Sequence, residues 1–231
     1  MNALLEVRSY CKRFTIHHLE REIPAFENLD FDLYEGQFML VTGPNGAGKS
    51  TLLRCLFRTY LPSSGSALYL SRTGGINLVT ATDRQILNLR HEEIGHVTQF
   101  LRARPRVSAL AMVAESFLHR ANADVTPDAA EQDARELLDS FGLKRELHHA
   151  YPTTFSGGEQ QKVNLAHTLA TTRRLILLDE PTASLDAVAR AALTTRLTLL
   201  KEQGVAFIGV FHHPEDVRHL IDKEIEIKHV A

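Results

Sequence analysis

The sequence predicts an α/β fold with a mixed sheet core, an N-terminal antiparallel β subdomain and an inserted helical subdomain. Three observations carry that expectation. Residues 28–34 alternate strictly, with Leu29, Phe31 and Leu33 on one face and Asp30 and Asp32 on the other, the pattern of a half-buried antiparallel strand. Residues 175–178 and 205–211 are unbroken apolar runs separated by a helical stretch at 187–203. Such runs suit parallel strands covered on both faces, here in a βαβ unit. Third, Gly43-Pro44-Asn45-Gly46-Ala47-Gly48-Lys49-Ser50-Thr51 lies between the apolar runs 38–41 and 52–57, which reads as strand, glycine-rich loop and helix.

In chain order, residues 3–8 read as a strand and precede the alternating 28–34. Glu35-Gly36 turns the chain into a core strand at 37–42, which feeds the loop. A helix over 48–60 is expected to stop at Pro62. Strands follow at 66–71 and 76–80, then a polar helix at 83–92 and a core strand at 94–98 that ends at Gln99. Leu110, Val113 and Phe117 place residues 106–121 on helical spacing, and 121–128 is a polar connection. Residues 129–141 form an amphipathic helix with Leu137, Leu138 and Phe141 on its apolar side. Phe155-Ser156-Gly157-Gly158-Glu159 opens a further helix carrying Val163, Ala166, Leu169 and Ala170. Residues 223–228 alternate again, with Ile225 and Ile227 inward, as an edge strand does. The expected organisation is one domain over 1–231, with a core of about 1–100 and 171–231 and a helical subdomain of about 101–170.

A formal net charge of −2 argues against nucleic acid and anionic membrane surfaces as partners. No run approaches the ~18 apolar residues that span a bilayer, and residues 1–13 lack the apolar core of a signal peptide. A cytoplasmic protein without direct membrane insertion is expected, so any work at a membrane would need a partner subunit. Cys11 and Cys55 are expected as buried free thiols. The pairs His17-His18 and His148-His149 lack a third placed ligand and read as polar surface.

The loop at 43–51 has the spacing G-x-x-x-x-G-K-S of a P-loop. Gly43, Gly46 and Gly48 allow the backbone to pass close to a polyphosphate, and the N–H groups of Asn45 and its neighbours form an anion nest at a helix start. Lys49 brings positive charge to β- and γ-phosphates, Ser50 offers a hydroxyl to Mg²⁺, and Thr51 reaches the α-phosphate. Four apolar residues ending in Asp179-Glu180 match the Walker B pattern. Asp179 is expected to hold Mg²⁺. Glu180, one residue on, suits polarisation of an attacking water.

Phe155-Ser156-Gly157-Gly158-Glu159 resembles the signature sequence of ABC ATPases, usually Leu-Ser-Gly-Gly-Gln, and with it the chain resembles that family over essentially its whole length. The resemblance implies ATP with Mg²⁺ as ligands, and two ATPs held head-to-tail between two ABC subunits, the second being a copy of this chain or a related protein. It places Gln99 as the Q-loop glutamine, with Ser50, Gln99 and Asp179 around the metal. It also places Asp186 in the D-loop, His212 as the switch histidine and Phe14 as the ring that stacks on adenine. Ser156, Gly157, Gly158 and Glu159 would meet the partner's nucleotide. Tyr10 competes with Phe14 for the base, and His213 stands where the family usually has Asp. Glu159 also makes Ser156-x-x-Glu159 a capping box.

Two stretches point further. Residues 98–110, from Thr98-Gln99-Phe100-Leu101-Arg102, and residues 154–164 resemble the L subunits of the bacterial carbon–phosphorus lyase system, and so do Arg54 to Pro62 and Val210-Phe211-His212. That resemblance implies a role in phosphonate catabolism and association with the lyase core complex. The competing expectation is the nucleotide-binding subunit of a transporter, such as a lipoprotein-releasing exporter, which shares the region around Leu89-Arg90 and Ile94-Gly95.

Overall fold

The computed structural model describes residues 2–16, 21–99, 101, 103–118 and 125–228. His17, His18, Phe100, Arg102 and residues 119–124 lie outside the described residues.

Two sheets share the strands. Strands β1 (Leu5–Ile16), β2 (Arg21–Leu33), β4 (Ser64–Ser71) and β5 (Gly74–Asn77) form an antiparallel sheet in the order β2-β1-β4-β5. Strands β3 (Phe38–Thr42), β6 (Ile94–Val97), β7 (Leu175–Asp179), β8 (Ala206–Val210) and β9 (Lys223–Glu226) form a second sheet in the order β6-β7-β8-β3-β9, with every pair parallel. The mixed character is therefore divided between a parallel core sheet and a separate antiparallel one. β9 takes the edge position its alternation predicts.

The parallel sheet is the middle layer, and its period of two decides what each residue touches. Ile176, Leu178, Phe38, Leu40 and Phe207 face one core together with helices α3 (Ala109–Leu118), α4 (Pro127–Ser140), α5 (Gly157–Leu169) and α6 (Ala187–Glu202). Leu175, Leu177, Met39, Val41 and Ile208 face the other, with the antiparallel sheet and helices α1 (Lys49–Leu56) and α2 (Asp83–Glu92). Each buried Leu or Ile contributes roughly 1.5–3 kcal/mol against exposure, so both faces are strongly driven. Among the described residues no helix is long and apolar enough to cross a membrane.

Several boundaries differ from the sequence expectation. β1 runs on to Ile16 because it pairs with β2 through register shifts between Val7 and Tyr10 and beyond, and Ser9 and Asn28 both take positive φ there. Bulges of this kind break the alternation that reveals a strand. α1 stops at Leu56, well before Pro62. Arg58 adopts a left-handed φ of 63° and the Thr59 N–H returns to the Arg54 carbonyl at 2.8 Å, a left-handed cap that ends the helix without proline. β5 ends at Asn77 rather than 80, and α3 begins at Ala109 rather than 106. Cys55 is buried, and burial pushes its thiol up to about 12, but Cys11 is half-buried and its Sγ accepts from the Asn28 N–H at 3.2 Å.

Candidate nucleotide-binding site

The parallel sheet gathers the chemistry at one edge. Because β3, β6, β7 and β8 all run the same way, the loop 43–51, Gln99, Asp179-Glu180 and His212 all leave the carboxyl ends of its strands. That is where ligands bind in open α/β sheets.

The loop is shaped by its own crowding. Gly43 has φ 137°, and a Cβ there would fall on the Ile227 carbonyl. Gly48, at φ 94°, sits equally close to the Ala25 carbonyl. Only glycine fits either position. Lys49 Nζ donates to the Gly43 carbonyl at 2.7 Å and to the Pro44 carbonyl at 2.9 Å, which holds the ammonium over the loop. Asn45 and Gly46 are exposed, and Thr51 is half-buried in the first turn of α1.

The Ser50 hydroxyl donates to Asp179 Oδ1 at 2.6 Å, so the loop and the β7 acid touch directly. Asp179 is 2% exposed. Burial lifts its carboxyl above the ordinary value, while the Ser50 hydrogen bond and the Arg54 guanidinium, 3.9 Å away, pull it back. A hydroxyl beside a carboxylate is a hard-oxygen pair of the kind Mg²⁺ takes, so these residues fit that ion. Glu180 follows with a left-handed φ of 49°, and its N–H donates to the Val210 carbonyl at 2.9 Å. Such backbone persists in a non-glycine residue only where its surroundings hold it.

Gln99 is exposed just past β6 and lines a cavity of about 540 Å³ with Arg54, Tyr60 and Asn164. His212 is exposed after β8, with its Nδ1 3.2 Å from Nε2 of His213, so both histidines stand at the same edge. Among the aromatic candidates the structure discriminates. Tyr10 is fully buried, stacked on Phe26 at 5.7 Å. Phe14 is half-buried, edge-on to Tyr60 at 5.5 Å, with the Lys12 ammonium 4.6 Å over its ring.

The 156–159 segment stands apart. Ser156 caps α5: its Oγ accepts from the Glu159 N–H at 3.4 Å, and Glu159 Oε2 accepts from the Ser156 N–H at 2.9 Å. The Ser156 hydroxyl holds the Glu159 carboxyl below its ordinary value. Gly157 is exposed, and Gly158 packs so that a Cβ would lie 2.8 Å from the Ser184 carbonyl. Among the described residues no hydrogen bond or ion pair joins this cap to the 43–51 loop. Asp186 caps α6 by accepting from the Ala189 N–H at 2.8 Å, and Lys162 Nζ donates to it at 2.7 Å. The Lys162 hydrogen bond is the main reason its carboxyl stays below the ordinary value. His148 is buried with Nε2 3.3 Å from the Leu143 carbonyl, not on the surface. Among the described residues no cluster of three metal-ligating side chains occurs.

Arg54, Gln161, Lys162 and Asn164 are additions that motif reading passed over. Arg54 interrupts the apolar residues of 52–57, whereas Gln161, Lys162 and Asn164 fall in the polar first half of α5, where nothing in the sequence sets them apart.

A family model described as ABC transporter matches residues 26–183. The chain is 35% identical over 208 residues to the lipoprotein-releasing system ATP-binding protein LolD 2 of Caulobacter vibrioides, covering 90% of this chain and 87% of that protein. It is 33% identical over 231 residues to the macrolide export ATP-binding/permease protein MacB of Wolinella succinogenes, covering 97% of this chain but 33% of that longer protein. Its fold matches the dimeric post-hydrolysis structure of the ATP-binding cassette MJ0796 bound to ADP and Pi, with a TM-score of 0.83 and 26% identity over 96% of this chain and 94% of the other.

Proposed function

The chain belongs to the ABC transporter family of ATP-binding proteins, and from that membership we propose that it is the Mg²⁺-dependent ATPase subunit of an exporter, working as one of two cassettes. The observation that carries the ATPase reading is the 2.6 Å contact between Ser50 and Asp179, which brings the phosphate loop and the strand-end acid into one site. In this reading residues 1–231 are one ATPase domain, with a core of about 1–100 and 171–231 and a helical part of about 101–170.

Lys49 neutralises charge on the terminal phosphates, and the loop amides at Gly43, Asn45, Gly46 and Gly48 cradle them. Thr51 bonds the α-phosphate and Phe14 stacks on the base. Ser50, Gln99 and Asp179 would hold Mg²⁺, and the ion would supply positive charge that offsets the charge on the phosphates. Glu180 orients water, and His212 donates to the γ-phosphate. The separation of Ser156, Gly157, Gly158, Glu159 and Asp186 from the loop of the same chain supports their facing a second cassette's nucleotide. The dimeric cassette bound to ADP and Pi supports that arrangement.

The relatives favour a transporter over the carbon–phosphorus lyase system. LolD 2 is named for lipoprotein release, and MacB for macrolide export with a permease in the same protein. The lyase resemblance rests mainly on two short stretches, with 54–62 and 210–212 beside them. One includes Phe100 and Arg102, outside the described residues. The other, 154–164, is accounted for locally as a capped helix with buried amides. A separate membrane permease is therefore the proposed partner, with this chain at its cytoplasmic face.

The test is capture of a tagged Glu180→Gln protein with ATP and Mg²⁺ from its own host, grown in rich medium and on methylphosphonate without phosphate. An integral membrane permease in the captured material is the expected result. Soluble lyase subunits in its place would return the protein to phosphonate catabolism. Undiminished ATP turnover by Glu180→Gln would remove the role given to that residue.

A further inference from the structure

Helix α5 buries two amide side chains where an apolar residue would pack at lower cost. Gln161 is 3% exposed and Asn164 is 5% exposed. Buried amides without partners are expensive, so their hydrogen bonds matter. Asn164 Nδ2 donates to the Thr98 carbonyl at 2.7 Å and to Gln161 Oε1 at 3.2 Å, and Gln161 Nε2 donates to the Pro181 carbonyl at 3.2 Å.

The direction of this chain is forced. Both ends are backbone carbonyls, which only accept, and proline has no N–H to offer. Each amide therefore has one orientation that satisfies it. The ends are also informative. Thr98 immediately precedes Gln99, and Pro181 immediately follows Glu180. The β6–β7 ladder closes at Val97 opposite Leu178, so the two amides bridge the strand ends just beyond the last paired residues. Glu180 needs such support because its φ is 49°. The Val210 carbonyl pins its N–H, and the Gln161 amide pins the next carbonyl along the chain.

The geometry points to Gln161 and Asn164 as positioning residues for ATP hydrolysis: a two-amide relay, anchored in the helix that follows Ser156, sets the separation and orientation of Gln99 and Glu180. This rests on the proposed roles of Gln99 and Glu180. The relay touches no nucleotide. It acts through the backbone on either side of the reacting phosphate, and its anchor helix starts at the cap proposed to meet a second cassette. A shift of α5 moves both strand ends together.

The test is the single-turnover hydrolysis rate and the ATP affinity of purified full-length Asn164→Ala, Gln161→Met and the double variant, with Glu180→Gln alongside. Misplacing a reacting group by about 1 Å costs roughly 10- to 100-fold in rate. Each single variant should lose that much rate while binding ATP as the wild type does. The double variant should be no slower than the worse single one, because either change breaks the same chain. A wild-type rate in either folded variant, a loss confined to ATP affinity, or additive losses would overturn the relay. So would failure of both single variants to fold, which would make the amides structural. Turnover by Glu180→Gln would instead overturn the catalytic reading on which the relay rests.

Discussion

Lowering the pH should destabilise this protein through His167 in particular. The ring sits on α5 beside the cavity that Gln99 lines. Its pKa is lowered to about 4 by burial first, then by the Arg173 and Arg104 guanidiniums, against a smaller opposite effect of Glu115. An exposed histidine titrates near 6.5. Between those values the unfolded chain binds a proton that the folded chain refuses, so stability must fall as pH falls through that window. With pKa values of about 4 and about 6.5, the change between about pH 7.5 and about pH 5 is roughly 2 kcal/mol, approaching about 3 kcal/mol below pH 4. Urea unfolding at the two pH values measures it, with His167→Gln as the comparison. Gln keeps the polarity and does not titrate, so that variant should lose about 2 kcal/mol less than the wild type over the same interval. Equal losses in the two proteins would show that the ring is not held neutral by its surroundings.

The aromatic assignment predicts that Phe14→Ala weakens ATP binding by about 1–3 kcal/mol and spares turnover at saturation. Tyr10→Phe should leave ATP affinity unchanged, and calorimetric titration of the two variants separates them. Arg174 joins the two sheets by bonding the Leu70 carbonyl at 2.5 Å and pairing with Glu35 and buried Glu93. Arg174→Ala should cost about 1.5–3 kcal/mol, the loss of charge-assisted bonds to a buried carboxylate that keeps the Tyr69 hydroxyl and the Arg72 N–H as donors, and adding Glu93→Gln should recover part of it in the same urea assay. Ser156→Ala should lose about 1 kcal/mol with its cap and also lose ATP-dependent dimerisation, read by size-exclusion chromatography in the Glu180→Gln background. Dimerisation that survives would leave Ser156 a helix cap and nothing more.

Much of the site was legible because its chemistry is local. A glycine loop between a strand and a helix, an acidic pair closing an apolar strand, and a capping box each lie within about ten consecutive residues. Their geometry follows from rules that act over that range. The errors fall where the determinant is distant. β1 extends well past the expected 3–8 because its outer half is specified by bulged pairing with β2. α1, expected over 48–60, is the exception, because its end at Leu56 is set locally by the left-handed Arg58. Cys11 was expected in the core because its apolar neighbours in sequence are not its neighbours in space.

The sequence by itself therefore determined the order of strands and helices, the phosphate loop, the candidate acids and the capped helix at 156–159. The tertiary structure alone decided that Tyr10 is buried and Phe14 only half-buried, that Ser50 reaches Asp179, and that Asn164 and Gln161 tie the backbone beside Gln99 to the backbone beside Glu180. The physical reason is that motifs are written by neighbours along the chain. Burial and hydrogen bonding between residues 20 to 129 positions apart depend on which faces the sheets and helices turn toward one another.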